Sequence, residues 1–130
     1  MIIVWSLFAH LVGDYILQTD KQANNKTKSW VQVALHALTY TLCFLPLTRD
    51  WRALLVIWGT HVLIDHYRLP KYVIWLKNTL GDFPNMDWAK YRTNTGYSEQ
   101  TAGWMATWLF IITDNTFHLL INAWALVNFK

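Results

Sequence analysis

The chain has 130 residues, enough for one domain and too few for a second sizeable core. Nine Trp among 16% aromatics, with charged residues held to 15%, suit a chain at a lipid–water boundary, where rings with one polar tip are at home. A single cysteine, Cys43, excludes an internal disulfide, a four-cysteine zinc site and a CxxC redox pair, and a net charge of +3 without Lys/Arg interleaved with aromatics argues against a nucleic-acid surface.

Four apolar segments follow one another, at about 2–18, 30–47, 52–68 and 103–128, and their polar residues recur at three- and four-residue spacings, which predicts helices. The first has no basic leader and runs straight into polar residues, so it is expected to belong to the folded protein rather than to a cleaved signal. Thr27 or Ser29 is the expected cap of the second, with Pro46 at its end. Asp50 is the expected cap of the third, with Pro70 just past its end. Between the third and fourth, Leu69, Tyr72, Val73, Leu76 and Leu80 share one helical face, which predicts a short amphipathic helix lying in an interface and ended by Gly81. The polar stretch NMDWAKYRTNTGYSEQ that follows is expected to be the longest and most mobile loop.

Segments of this length suffice to cross a bilayer core, although the polar residues make each one marginal. The apolar side chains of the first segment favour insertion by roughly 4 kcal/mol, against about 3 for a central Asp14. Cations follow the first segment (Lys21, Lys26, Lys28) and the third (Arg68, Lys71, Lys77, Lys90, Arg92), whereas the opposite side receives Arg49, Arg52 and Lys130. The positive-inside rule then places both termini outside the cytoplasm. The expected architecture is all-α, one domain over 1–130: a four-helix transmembrane bundle with the interfacial helix between helices three and four, in the bacterial inner membrane.

The chemistry lies in the polar stripes. His10 and Asp14 are spaced i, i+4 on the first helix, His61 and Asp65 repeat this on the third, and Asp114 and His118 give it in reverse on the fourth. The second helix supplies His36, with Gln32, Tyr40 and Cys43 along its stripe. Residues at that spacing share a helix face, so four helices each present a polar face. In the expected topology these groups meet in the cytoplasmic half, with Asp114 and His118 deeper. Intramembrane ionisable residues are functional candidates by default. Imidazole and carboxylate without thiolate suit Zn²⁺, or Mn²⁺ and Fe²⁺. Seven candidate ligands, His10, Asp14, His36, His61, Asp65, Asp114 and His118, exceed the needs of one tetrahedral ion and suit one or two. Asp14, Asp65 and Asp114 are the candidate catalytic carboxylates. Gln18 is expected to hydrogen-bond a ligand or phosphate, and Lys21, Lys26 and Lys28 to attract an anionic head group. His66, turned about 100° from Asp65, is expected at the interface.

HLVGDYILQTDKQANNK, LHALTYT, HVLIDHYR and DNTFHL together resemble a family of small bacterial and phage membrane proteins with an H-x3-D-[FY]-x-[LF]-Q-[ST] start. More loosely, the order HxxxD, H, HxxxD is similar to membrane-bound metal-dependent hydrolases and to the zinc-dependent phospholipase C and nuclease group, in which DxxxH here stands for an HxxxH pair. That resemblance implies a metal-dependent hydrolase, with a phosphoester (lipid head group or nucleotide) as substrate and membrane lipid as partner. The alternative is a non-enzymatic membrane protein whose polar or metal core modulates an envelope partner.

Overall fold

The computed structural model describes residues 1–129; Lys130, counted above among the outer cations, lies outside the described residues. Six α-helices follow in order: α1 (Ile2–Leu11), α2 (Asp20–Asn25), α3 (Trp30–Leu42), α4 (Trp51–Tyr67), α5 (Pro70–Gly81) and α6 (Gly103–Asn128). No strand occurs among the described residues. The contacts group the chain into two compact units, one of residues 1–67 and 117–130, the other of 68–116.

In the first unit the fold departs from four plain rods at the stretch that carries Asp14. The α-helical ladder stops at Leu11 and continues as a π-helical turn, Val12–Ile16, closed by the Leu17 N–H on the Val12 carbonyl at 3.0 Å. Gly13 explains its placement. A Cβ there would stand 2.5 Å from Tyr40 Cδ2 and 3.1 Å from Tyr40 Cα, so only glycine lets this turn lie against α3. The chain then turns through a capping box: Thr19 accepts from the Gln22 N–H, and the Gln22 side chain accepts from the Thr19 N–H. The result is α2, a short helix absent from the expectation.

Ser29 is the cap of α3, accepting from the Gln32 N–H. This helix ends at Leu42, five residues before the expected limit. Pro46 biases the residue before it away from helix, and the bonds from Cys43 to Leu47 tighten to i→i+3. Asp50 caps α4 by accepting from the Arg52 N–H at 2.8 Å, and the exposed Arg52 guanidinium on its other oxygen holds this carboxyl down to about 2. Helices α3 and α4 pack together through Val33, Ala37 and Val62, and the Trp58 indole donates to the Ala34 carbonyl. A second apolar cluster joins Ala9, Tyr40, Phe44, Ile57, Ala125 and Leu126.

Helix α6, with 26 residues, is long and apolar enough to cross a membrane, and the only one among the described residues. At about 1.5 Å per residue it exceeds a bilayer core of about 30 Å. The other helices of the expected four-span bundle are shorter: ten residues plus the five-residue π turn for α1, 13 for α3 and 17 for α4.

In the second unit α5 has the expected limits, with Pro70 opening this helix rather than merely ending the one before. The chain breaks between α4 and α5 at Arg68, whose φ is +51°. Leu69, Tyr72, Val73, Leu76 and Leu80 all face outward, while Pro70, Ile74 and Thr79 are buried. The long loop does not hang free. Asn78 donates to the Gly96 carbonyl, Trp75 to that of Trp88, and Thr93 Oγ1 to that of Tyr97 while accepting from the Gly96 N–H. Gly96, at φ +80°, lies so close to α5 that a Cβ would stand 2.5 Å from the Lys71 carbonyl. Lys90 and Tyr91 both donate to Asp82, and they hold its carboxyl below the ordinary carboxylate range.

Candidate metal centre

Helix α3 supplies His36 from its buried face, two turns after the Ser29 cap, and α4 supplies His61 and Asp65 one turn apart. The π turn supplies Asp14, and the last three turns of α6 supply His118 and Asn122. His36 and His61 are 0% and 1% exposed, Asp65 3% and His118 2%. Four different segments therefore place imidazoles and carboxylates in one interior.

The two Nε2 atoms of His36 and His61 are 3.0 Å apart. Asp65 Oδ2 lies 3.4 Å from each of them. Asp14 Oδ1 lies 3.3 Å from His36 Nε2 and 3.5 Å from His61 Nε2. Two triangles of ligand atoms thus share the His36–His61 edge. His118 Nε2 stands 3.6 Å from Asp65 Oδ1, and His118, His61 and Asp14 form a further group able to hold a metal ion. Gln18 Nε2 donates to His36 Nε2 at 2.9 Å. His36 Nε2 therefore has four polar neighbours within 3.4 Å. One nitrogen with one lone pair or one proton cannot satisfy them all, and Asp14 Oδ1 is buried without a hydrogen-bond partner. These groups could hold a metal ion, which would relieve the crowding.

His10 stands beside this set rather than within the triangles. Its Nδ1 lies 2.9 Å from Tyr40 Oη and 3.4 Å from Asp14 Oδ2. Tyr40 Oη in turn accepts from Asn122 Nδ2 at 2.6 Å. The Tyr40 ring lies 3.9 Å from that of His61, which stacks on His118 at 4.2 Å, so His61 is clamped between two rings. That clamp matters because the Nδ1 atoms of His36 and His61 have no hydrogen-bond partner. Packing orients these rings, where metal-binding histidines usually rely on a second hydrogen bond.

Asp65 is already met by a cation. Lys26 Nζ donates to Asp65 Oδ2 at 2.9 Å from the turn after α2. His66 fixes that turn: its Nδ1 donates to the Lys26 carbonyl at 2.9 Å, and its ring stacks on Trp30 at 3.8 Å. Lys26, expected from the sequence to attract an anionic head group, reaches a buried acid because the α2 turn folds it inward. Lys21 and Lys28, grouped with Lys26 in the sequence reading, are exposed. Asp114 is four residues before His118 on α6, in the second unit.

With this geometry in hand, comparison with known proteins adds one match, to a family model described as a protein of unknown function, over residues 2–126. The chain belongs to the DUF3307 family. No curated protein and no solved structure matches it. The matched range of this DUF3307 chain takes in the whole cluster, together with two residues the sequence reading did not place in the site, Tyr40 and Asn122. Both had a readable signal: Tyr40 lies four residues after His36 and Asn122 four after His118, each extending a polar stripe by one turn.

Proposed function

We propose that this protein is a membrane-embedded, metal-dependent hydrolase of phosphoesters, working at the cytoplasmic leaflet. The observation that carries the reading is the pair of ligand triangles. In a tetrahedral zinc site with nitrogen and oxygen ligands at about 2.0–2.1 Å, neighbouring ligand atoms are about 3.3–3.4 Å apart. The edges here are 3.0, 3.3, 3.4, 3.4 and 3.5 Å. Each imidazole nitrogen has a single lone pair, so one ion would take His36 and His61 together with Asp65 or Asp14. A second would have to rest on His118 and the remaining carboxylate oxygens. The donor set favours Zn²⁺, with Mn²⁺ or Fe²⁺ as the other divalent fits. Bound there, such an ion supplies Lewis-acid polarisation of a phosphoryl oxygen and lowers the pKa of water. The chain's own groups then have defined tasks. Asp14, whose free Oδ1 faces the histidines, accepts a proton from the attacking water. Lys26 meets the anionic ester, and the Tyr40–His61–His118 stack holds the ligands in place.

The membrane setting rests on an inverted distribution of side chains. Trp5, Ile16, Val31, Trp51 and Leu120 are between 55% and 71% exposed, whereas the histidines beneath them are buried. In water, leaving such side chains exposed forgoes about 25 cal/mol per Å². Facing lipid, it costs nothing, and polar groups must find partners inside. We extend this to a multi-pass arrangement with both termini outside the cytoplasm, in which the shorter helices accommodate local thinning of the bilayer.

Elemental analysis of the detergent-purified protein tests the reading, alongside hydrolysis of a generic phosphodiester by wild type and Asp65→Asn. One or two ions per chain and at least a hundredfold loss of rate in the variant are expected. A folded wild type that binds no divalent ion would sink it. One observation favours a second reading: Lys26 on Asp65 and Asn122 on Tyr40 already satisfy part of the core, as a non-enzymatic bundle modulating an envelope partner would need. A bound ion with no turnover on any ester would select it.

A further inference from the structure

The second unit carries a cavity of about 340 Å³ with no part in the metal site, lined by Lys71, Tyr72, Trp75, Tyr91, Arg92 and Thr93. Its volume is within the range of small-ligand sites, and its chemistry is uneven. The five cations of this unit have different engagements. Lys90 is paired with Asp82, Arg68 lies over the Phe110 ring and donates to the Asn94 carbonyl, and Lys77 stands at the Tyr97 ring and hydroxyl. Lys71 and Arg92 have no acidic partner among the described residues, and both line this cavity; Lys71 Nζ lies 4.8 Å over the Tyr72 ring. Lys71 and Arg92 also border an adjoining, more polar cavity with Glu99, and Arg92 a further one with Asp87 and Glu99, but neither cation forms an ion pair there.

The cavity opens beside an apolar stripe. Tyr72 belongs to both, and the rest of the stripe (Leu69, Val73, Leu76, Leu80) is 40–50% exposed. Phe83 and Trp88 of the following loop are exposed as well, at 76% and 42%. Two unpaired cations in a cavity walled by Trp and Tyr, next to an outward apolar helix face, match a layer that is apolar below and anionic at its surface.

We propose that this unit binds an anionic phospholipid: the apolar face of α5 lies in the acyl boundary, and the lipid phosphate enters the cavity between Lys71 and Arg92. The aromatic walls exclude water around the phosphate, which strengthens both charge contacts. The inference stands whether or not the core holds a metal.

The test is lipid retention by the full chain in detergent, read by native mass spectrometry, with phosphatidylglycerol and phosphatidylcholine of matched chains and inorganic phosphate as a third probe. Wild type should retain one phosphatidylglycerol in preference to phosphatidylcholine. Lys71→Gln with Arg92→Gln should lower that affinity roughly twenty-five-fold, at about fivefold per cation, and leave phosphatidylcholine unchanged. Arg92→Gln alone, at a side chain that makes no ion pair, gives the fivefold step should the double variant not fold. Equal retention of both lipids by wild type, or unchanged preference in Arg92→Gln, overturns the proposal. Inorganic phosphate binding as tightly as the lipid overturns it too, because the apolar face would then add nothing.

Discussion

Replacing Lys26 by Met should lower stability without metal and raise metal affinity by the same free energy. Lys26 Nζ lies 2.9 Å from Asp65 Oδ2, with Asp65 buried and the lysine side chain 24% exposed. At an effective dielectric of about 20 the gross attraction over this distance is about 6 kcal/mol, most of it offset by the cost of desolvating both charges. Removing one partner of a buried pair costs about 3–5 kcal/mol, and the partial exposure of Lys26 lowers this to about 2–3. With chelator present, Lys26→Met should therefore unfold about 2–3 kcal/mol more easily than wild type. A divalent ion on Asp65 displaces the ammonium in wild type but meets no competitor in the variant. By linkage the variant's metal affinity should then rise about 30- to 160-fold. Unfolding in detergent with chelator or with Zn²⁺, and a competition titration against a chromophoric chelator, measure the two quantities separately. Equal metal affinity in the two proteins would show that Asp65 is not a ligand, and would refute the reasoning even if the stability change appeared.

Gly13→Ala should destabilise by about 1–3 kcal/mol, because its Cβ would stand 2.5 Å from Tyr40 Cδ2 and that clash outweighs the roughly 1 kcal/mol that alanine gains in a helix; an unchanged unfolding midpoint would contradict the close approach. Tyr40→Phe removes the acceptor of Asn122 and one partner of His10, and the buried Asn122 amide left unpaired costs about 1–3 kcal/mol. Its unfolding free energy should fall by about that amount, and a loss under about 1 would mean that water replaces the hydroxyl. Asp82, held below the ordinary carboxylate range by Lys90 and Tyr91, adds stability that is present above the unfolded carboxyl value and is lost as pH falls through the lower folded one. Amide exchange of residues 88–92 should therefore accelerate below about pH 4 in wild type but not in Asp82→Asn, and a flat wild-type profile counts against the contact.

How far the sequence carried these conclusions differs by kind of residue. The limits of α4, α5 and α6 were legible, because Asp50, Pro70, Gly81 and Gly103 punctuate them locally. The convergence of His36, His61, Asp65 and Asp14 was legible as well, since i, i+4 spacing fixes which groups share a face. The π turn was not. It is set by the close approach of Gly13 to Tyr40, 27 residues away in sequence, and a helix-period pattern cannot register that. The contact of Lys26 with Asp65 is not legible for a related reason: it depends on α2, which the Thr19–Gln22 capping box opens, and spacing within the apolar segments carries no sign of it. The loop after α5 reads as mobile because its residues are polar, but Gly96 and Thr93 convert that polarity into hydrogen bonds with α5 and with the loop itself.

These successes and failures share a cause. In a soluble domain the readable signal is the apolar stripe, since that face must leave water, and polar residues fall wherever solvent is. Here many large apolar residues of the first unit, among them Trp5, Ile16, Val31 and Trp51, are exposed, so an apolar side chain carries little positional information. The polar residues that recur at three- and four-residue spacing, rather than the apolar ones, mark the packing face of α3, α4 and α6. His36, Tyr40, His61, Asp65, His118 and Asn122 all obey that rule and are all buried. The same logic separates the two units. Along α5 the outward stripe is apolar and the buried residues include Thr79 and Pro70, while Lys71 and Arg92 remain without acids to meet. A chain that gathers its core histidines around buried carboxylates yet leaves two cations open beside an apolar face has left the anion to be supplied from outside.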